Sequence, residues 1–387
     1  MHYAAITERL AHTGGAKWAI HQRCRVMKKA GADIIELTIG EPDQPPDPQL
    51  FEVCHASMRA GRTGYSSGRG EPDLLEAIAA RYSLRRAGVD ANNVMCFPGT
   101  QTALFATMMA LTGPGDGVLV GDPFYATYEG VIVASGAHRE SVPLRPENGF
   151  RLKAEDLEAA ITPQSRVLLL NSPHNPTGAV LEADEIARIG AVCKKHDLWI
   201  VADEVYEELV FDGKFASPFD NPDLADRVIA LSSISKSHAA PGFRSGWAVG
   251  PHEFCEKLLP LSETMLFGNQ PFIADMTAFA LNADLPTSAR MRASYKSRST
   301  VFADALEKLD GVKPFRPQAG MFIVLDVSGT GLDGETFAWS LLEAGVAVMP
   351  GSSFGANASA LVRISLTVPD ETVTEACGRI TRFVEAL

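Results

Sequence analysis

Along the middle of the chain, short uninterrupted apolar runs alternate with stretches of helical spacing. The runs are Val94–Phe97, Val118–Val120, Val167–Leu170, Leu198–Ala202 and Val228–Leu231. Flanked by turn residues, such runs predict strands buried on both faces. The intervening segments carry apolar positions on one face. In Glu182–Lys195, Ile186, Ile189 and Cys193 fall together, with acids at the start and Lys194-Lys195 at the end. That charge order suits the helix dipole. Strand–helix alternation predicts an α/β fold, a mostly parallel sheet with helices on both sides. From about residue 285 the pattern changes. Long helical stretches (Ala289–Leu309, Gly334–Ala344, Glu371–Leu387) mix with a few strands (Met321–Val327, Val346–Val348, Leu361–Ser365). This predicts a second, smaller α+β domain. The first 45 residues hold a helix candidate, Ala16–Ala30, and then a Gly-Glu-Pro-Asp turn; the pattern alone lets them pack with either part.

Composition narrows the class. The 387 residues are 46% hydrophobic and 21% charged, which excludes disorder and fibrous repeats. Lys and Arg number 35 against 47 Asp and Glu, a net charge of −12 that disfavours nucleic acid as a partner. No apolar run reaches the length of a membrane-spanning helix. The start, Met1-His2-Tyr3-Ala4, lacks the pattern of a signal peptide. Six cysteines lie far apart with no CxxC pair, as expected of free thiols in a reducing compartment. The expectation is a cytoplasmic protein with no membrane or nucleic-acid partner.

In an open parallel sheet, ligands bind at the carboxyl ends of the strands. After Val94–Phe97 comes Gly99-Thr100-Gln101, opening a helix, and after Val118–Val120 comes Asp122-Pro123-Phe124-Tyr125. The third run leads into Asn171-Ser172-Pro173-His174-Asn175-Pro176-Thr177-Gly178 and the fourth into Asp203-Glu204-Val205-Tyr206. The fifth leads into Ser232-Ser233-Ile234-Ser235-Lys236, with Arg244 beyond it. Each alone has a bland reading: Asn-Pro-Thr-Gly is a turn, Asp203 a helix cap, Tyr206 a helix-face aromatic. Together they describe a pocket for a polar, phosphorylated, aromatic ligand.

These motifs, with Leu37-Thr38-Ile39-Gly40-Glu41-Pro42-Asp43 near the start and Arg363-Ile364-Ser365 near the end, resemble the class I/II aminotransferases. Those are fold-type I enzymes of the aspartate aminotransferase superfamily, dependent on pyridoxal 5′-phosphate (PLP). The resemblance covers nearly the whole chain. It implies a seven-stranded, mostly parallel sheet, a large PLP-binding domain over 46–284 and a small domain of 1–45 plus 285–387. It also implies a ping-pong transfer of an amino group between an L-amino acid and a 2-oxo acid. Lys236 resembles the lysine that binds the cofactor aldehyde and then moves the substrate proton, a task that needs a lowered pKa. Asp203 resembles the partner of the pyridine nitrogen. Asn175 and Tyr206 resemble the donors to the 3′-oxygen. Ser233, Arg244 and the amides of Thr100 and Gln101 match the phosphate cup, with Ser235 beside them. Tyr125 stands where the family stacks an aromatic on the ring. Arg363 resembles the clamp on the substrate α-carboxylate, with the Gly40 N–H and Asn175 alongside. Tyr65 resembles the tyrosine that reaches the phosphate of the neighbouring subunit, implying a homodimer.

Two departures bear on substrate. Gln101 stands where prokaryotic-type aspartate aminotransferases carry a lysine for the distal carboxylate. Leu261–Gln270, where the animal-type enzymes carry a second arginine, has none. Both weaken a dicarboxylate substrate. Trp18-Ala19-Ile20-His21, Asn171–His174, Ser235–His238 and Met265-Leu266-Phe267-Gly268 are similar to arginine–pyruvate aminotransferases.

Rival readings fare worse. Gly351-Ser352-Ser353-Phe354-Gly355 fits the nucleophile elbow of a serine hydrolase, but that fold needs a later histidine and the last one is His252. Ser233-Ile234-Ser235-Lys236 fits S-x-x-K, yet neither S-D-N nor K-T-G occurs. The nine histidines are scattered, with no metal-ligand spacing, so no metal is expected. A PLP-sensing regulator would need a DNA-binding module before Gly40, where too few residues stand. A β-elimination lyase or decarboxylase of the same fold uses the same residues, and the sequence leaves that alternative open.

Overall fold

A computed structural model of the chain describes residues 2–11, 13 and 16–387. Seven strands form the central sheet, in the order Val94–Phe97, Gly246–Val249, Val228–Ser233, Trp199–Asp203, Ser165–Asn171, Gly117–Asp122 and His138–Pro143. Every neighbouring pair is parallel except the two made by Gly246–Val249, which runs antiparallel to both its neighbours. Each of the five runs predicted as a strand is one. The inner strands are almost entirely buried because helices cover both faces. Helices Pro72–Ser83, Ala183–Lys195 and Pro271–Asn282 pack one face, and Thr100–Leu111 and His252–Met265 the other. The Ala183–Lys195 helix starts on a reciprocal cap, with Glu182 and Glu185 each closing a backbone N–H of the first turn.

A separate core gathers Ile20, Cys24, Phe302, Phe337 and Ile380 from helices Ala19–Lys29, Thr287–Leu306, Gly334–Glu343 and Asp370–Glu385. These cover a four-stranded antiparallel sheet ordered Met349–Pro350, Leu361–Ser365, Phe322–Asp326, Lys313–Phe315. The expected strand at Val346–Val348 is divided. Val346 and Ala347 leave this sheet and pair in parallel with Ile35 and Glu36, and Met349–Pro350 takes the edge position beside Arg363. The first segment of the chain also divides. Helix Ala5–Ala11 lies against Tyr128–Ala134, where Arg9 donates to the carbonyls of Val133 and Ala134 at 2.9 and 3.2 Å. Ile34, Ile35 and Leu37 join the second core. All six cysteines are buried and free. Among the described residues no helix is long and apolar enough to cross a membrane.

Candidate active site

The carboxyl ends of the parallel strands meet the second core around a cavity of about 300 Å³. Gly40, Thr100, Gln101, Tyr125, Asn175, Asp203, Tyr206, Ser233, Ser235, Lys236, Arg244 and Arg363 all line it. Of the predicted set only Tyr65 does not. Tyr65 is 92% exposed and touches Phe267 edge-on at 5.7 Å.

Lys236 is placed by a strand that ends on its own cap. The Ser233 hydroxyl accepts from the Ser235 N–H at 3.3 Å, and the short helix Ile234–Ser237 turns Lys236 into the cavity. Its Nζ donates to the Gly40 carbonyl at 2.6 Å. Burial pushes the ammonium down to about 8, and the charges of Arg363 and Arg244 act the same way against the opposing pull of Glu41 and Asp203. Asp203 ends its strand beneath the cavity. Its carboxylate accepts from the Tyr128 hydroxyl at 2.6 Å and from the Val205 N–H at 3.4 Å. Burial raises its pKa, while Tyr128 is the largest influence in the other direction.

Two asparagines connect the walls. The Asn171 side chain donates to the Asp203 carbonyl at 3.0 Å and accepts from the Asn175 N–H at 2.8 Å. The Asn175 oxygen then accepts from Arg363 at 3.1 Å. The motif's His174 has a different task. Its Nε2 contacts the Pro123 carbonyl at 3.1 Å and its Nδ1 the Thr177 hydroxyl at 2.7 Å. Burial lowers it to about 4, so it is a neutral pin between two strand ends.

At one end of the cavity the helix Thr100–Leu111 begins on Gly99, whose φ of 88° few side chains adopt. A Cβ at Gly99 would lie 2.4 Å from an Arg244 nitrogen, and one at Gly246 would lie 2.7 Å from the Thr100 nitrogen. The two glycines thus let Arg244 and a helix start face one space. Arg244 donates only to the carbonyls of Pro241 and Pro98, at 2.7 and 3.3 Å. The Thr100 hydroxyl is buried without a partner. Gln101 accepts from the Thr127 hydroxyl at 3.2 Å.

At the other end Arg363 is buried. It donates to the Thr38 carbonyl at 2.7 Å and stacks on Phe322 and Phe354, 3.9 and 4.6 Å from the ring centres. Burial lowers its pKa to about 10, so it stays charged at neutral pH, and its Nε has no partner. A Cβ on Gly40 would overlap Phe322 at 2.2 Å, so glycine is what lets that backbone lie against the ring. Tyr125 and Tyr128 meet edge-to-face at 5.5 Å, and the Tyr206 phenol is fully buried, which raises its pKa.

Among the described residues Lys236, Arg244 and Arg363 have no carboxylate in ion-pair contact, yet all three face one cavity whose only carboxylate is Asp203. Such a surplus of positive charge, with an unpartnered hydroxyl at a helix start, suits a phosphorylated ligand at one end and a carboxylate at the other. Asp203, the one acid of the cavity, is a group that could keep a ring nitrogen protonated. The site therefore fits PLP. Sequence reasoning missed Tyr128, Asn171 as a brace, and Phe322; of these only Tyr128, three residues beyond Tyr125 at the start of the next helix, carried a local signal.

Comparison with known proteins agrees with this geometry. The chain belongs to the aminotransferase class I and II family, whose profile matches residues 32–380. It is a PLP-dependent aminotransferase of fold type I, which moves an amino group between an amino acid and a 2-oxo acid. It is 43% identical to the arginine–pyruvate transaminase AruH of Pseudomonas aeruginosa, over 98% of this chain and 97% of that one. It is 31% identical to the aspartate aminotransferase of Musicola paradisiaca, over 98% and 96% of the two chains. Its structure resembles that of a double mutant of the Thermus thermophilus aspartate aminotransferase, with a TM-score of 0.94 at 29% identity, covering 99% of this chain and 100% of that one.

Proposed function

We propose that the chain works as a cytoplasmic homodimer carrying out ping-pong transamination, with a large domain of 46–284 and a small domain of 1–45 plus 285–387, whose helix Ala5–Ala11 reaches onto the large domain. The observation that carries this reading is the trio of cations without acid partners around Asp203. When bound, PLP supplies an aldehyde for the amino group and an electron-withdrawing ring. The protein does the rest. The phosphate is held by Arg244, Ser233, Ser235 and the amides of Thr100 and Gln101. Asp203 keeps a proton on the ring nitrogen, with Tyr128 fixing its carboxylate. Tyr206 and Asn175 donate to the 3′-oxygen, and Tyr125 covers the ring face. Arg363, the Gly40 N–H and Asn175 seat the α-carboxylate. Lys236 anchors the cofactor, then takes the proton from the substrate Cα, for which its lowered pKa suits it. Tyr65 completes the phosphate cup of the neighbouring subunit; its full exposure beside Phe267 suits a residue covered by a partner.

Dicarboxylate donors are disfavoured. Gln101 is neutral and already engaged by Thr127, and Trp18, Ile39, Leu104 and Phe322 make the remaining wall largely apolar. The similarity to an arginine–pyruvate transaminase makes arginine with pyruvate the first pair to assay. The test is the visible absorption of PLP-loaded protein treated with single amino acids and then with a 2-oxo acid. The band is expected to bleach with the donor and to return with the acceptor. Release of ammonia or carbon dioxide, with no recovery by any 2-oxo acid, would instead assign the lyase or decarboxylase alternative.

A further inference from the structure

The α-carboxylate seat is built from two segments that meet only through long-range packing. Gly40 lies in the Leu37–Asp43 segment, and Arg363 in the Leu361–Ser365 strand. Upstream, the two are stitched by backbone: the Ser365 N–H donates to the Leu37 carbonyl at 3.0 Å. The Thr367 hydroxyl adds a bond to the Ile39 carbonyl at 3.2 Å. Beyond Gly40 that stitching stops, and one side chain takes over. Arg298, only 7% exposed, rises from the Thr287–Leu306 helix between the two segments. Its Nη1 donates to the Asp43 carboxylate at 2.8 Å and to the Leu366 carbonyl at 3.0 Å, and its Nε donates to Asp370 at 2.7 Å. Tyr295, one turn earlier, donates to the other Asp43 oxygen at 3.2 Å.

Asp43 stands three residues past Gly40, and Leu366 three residues past Arg363. A single nitrogen of Arg298 therefore gauges the separation of the two carboxylate-seating elements. A planar guanidinium reaches all three acceptors at fixed angles, which an ammonium does not. We propose that Arg298 is a positioning residue for the α-carboxylate seat. It touches neither substrate nor cofactor, but sets the distance between the Gly40 N–H and the Arg363 guanidinium. This rests on the reading of Gly40 and Arg363 given above.

The test compares Arg298→Met, Arg298→Lys and Asp43→Asn in the PLP-loaded enzyme, with Arg363→Lys in parallel. Arg298→Met is expected to raise KM about ten-fold for donors with unlike side chains, with kcat changed less than about three-fold. The Kd of propionate, which offers a carboxylate and no amino group, rises with it by calorimetry. The cofactor absorption spectrum and its pH midpoint stay as in the wild type. Arg298→Lys restores part of the loss, because one charge still reaches Asp43. Asp43→Asn, which keeps the shape, raises KM a few-fold and carries the test if Arg298→Met fails to fold. If KM and the propionate Kd are unchanged in the folded variants while only Tm falls, Arg298 is a structural ion pair and the inference is wrong. If Arg363→Lys itself leaves KM unchanged, the fault lies in the carboxylate reading.

Discussion

The two ends of the cavity present their positive charge in different ways. The end lined by Thr100, Gln101, Ser233 and Arg244 is assembled from strand ends and a helix start, each set by its own few residues. Gly99 turns the chain, the helix start with its dipole and N–H groups faces the cavity, and Arg244 remains solvent-exposed. The end lined by Gly40, Phe322 and Arg363 has no helix start. It relies on one buried guanidinium, held between two aromatic rings and paired only with neutral oxygens. The first end is expected to tolerate the loss of one donor, because several groups there can share a ligand's charge. The second is expected to be less tolerant, because Arg363 is the one charged group there and burial strengthens its pairing.

The largest effect is expected between the ends, at Lys236. Lys236→Ala removes anchor and proton carrier together, and turnover should fall by about three orders of magnitude or more. Retention of more than about a tenth of the wild-type rate would contradict the assignment. Next comes the buried end. Arg363→Lys replaces a fork by a point charge and should raise KM about a hundred-fold for every donor, with cofactor retention unchanged. An effect confined to one donor would place Arg363 on the side chain instead. At the exposed end Arg244→Ala should weaken PLP binding about ten-fold, and leave donor KM near wild type once the cofactor saturates. A donor-specific change there would erase the contrast between the ends.

The smallest effect is one of pH. Burial lowers the Lys236 ammonium from the usual 10.5 to about 8, so its neutral amine predominates above pH 8. Uptake of PLP by cofactor-free protein should therefore accelerate up to about pH 8 and then level. An unbroken rise to pH 10 would show an unperturbed lysine.

The same contrast governs what the sequence displays. The exposed end is legible because its residues follow directly on apolar runs: Thr100 after Phe97, Ser233 and Lys236 after Leu231. The buried end is joined by bonds between residues 325 apart, Arg363 with Thr38, and its gauge by a bond spanning 255, Arg298 with Asp43. No periodicity reports such a distance, and Arg363 was visible only through resemblance to a family. Strand Gly246–Val249 carries a weaker signal because it opens on glycine directly after the turn-rich Pro241-Gly242-Phe243-Arg244-Ser245. His138–Pro143 lies at the sheet edge, where one face is partly solvated, so its pattern lacks a solid apolar run. The division of Val346–Val348 came from pairing with Ile35–Glu36, a partner more than three hundred residues away in the chain.

Borohydride reduction of the PLP-loaded protein, followed by peptide mapping, tests whether Lys236 is the group both ends serve. One phosphopyridoxyl label is expected, on the peptide carrying Lys236, absent after prior treatment with an amino donor and absent in Lys236→Ala. A label on another lysine, or one that a donor does not remove, would contradict that role for Lys236.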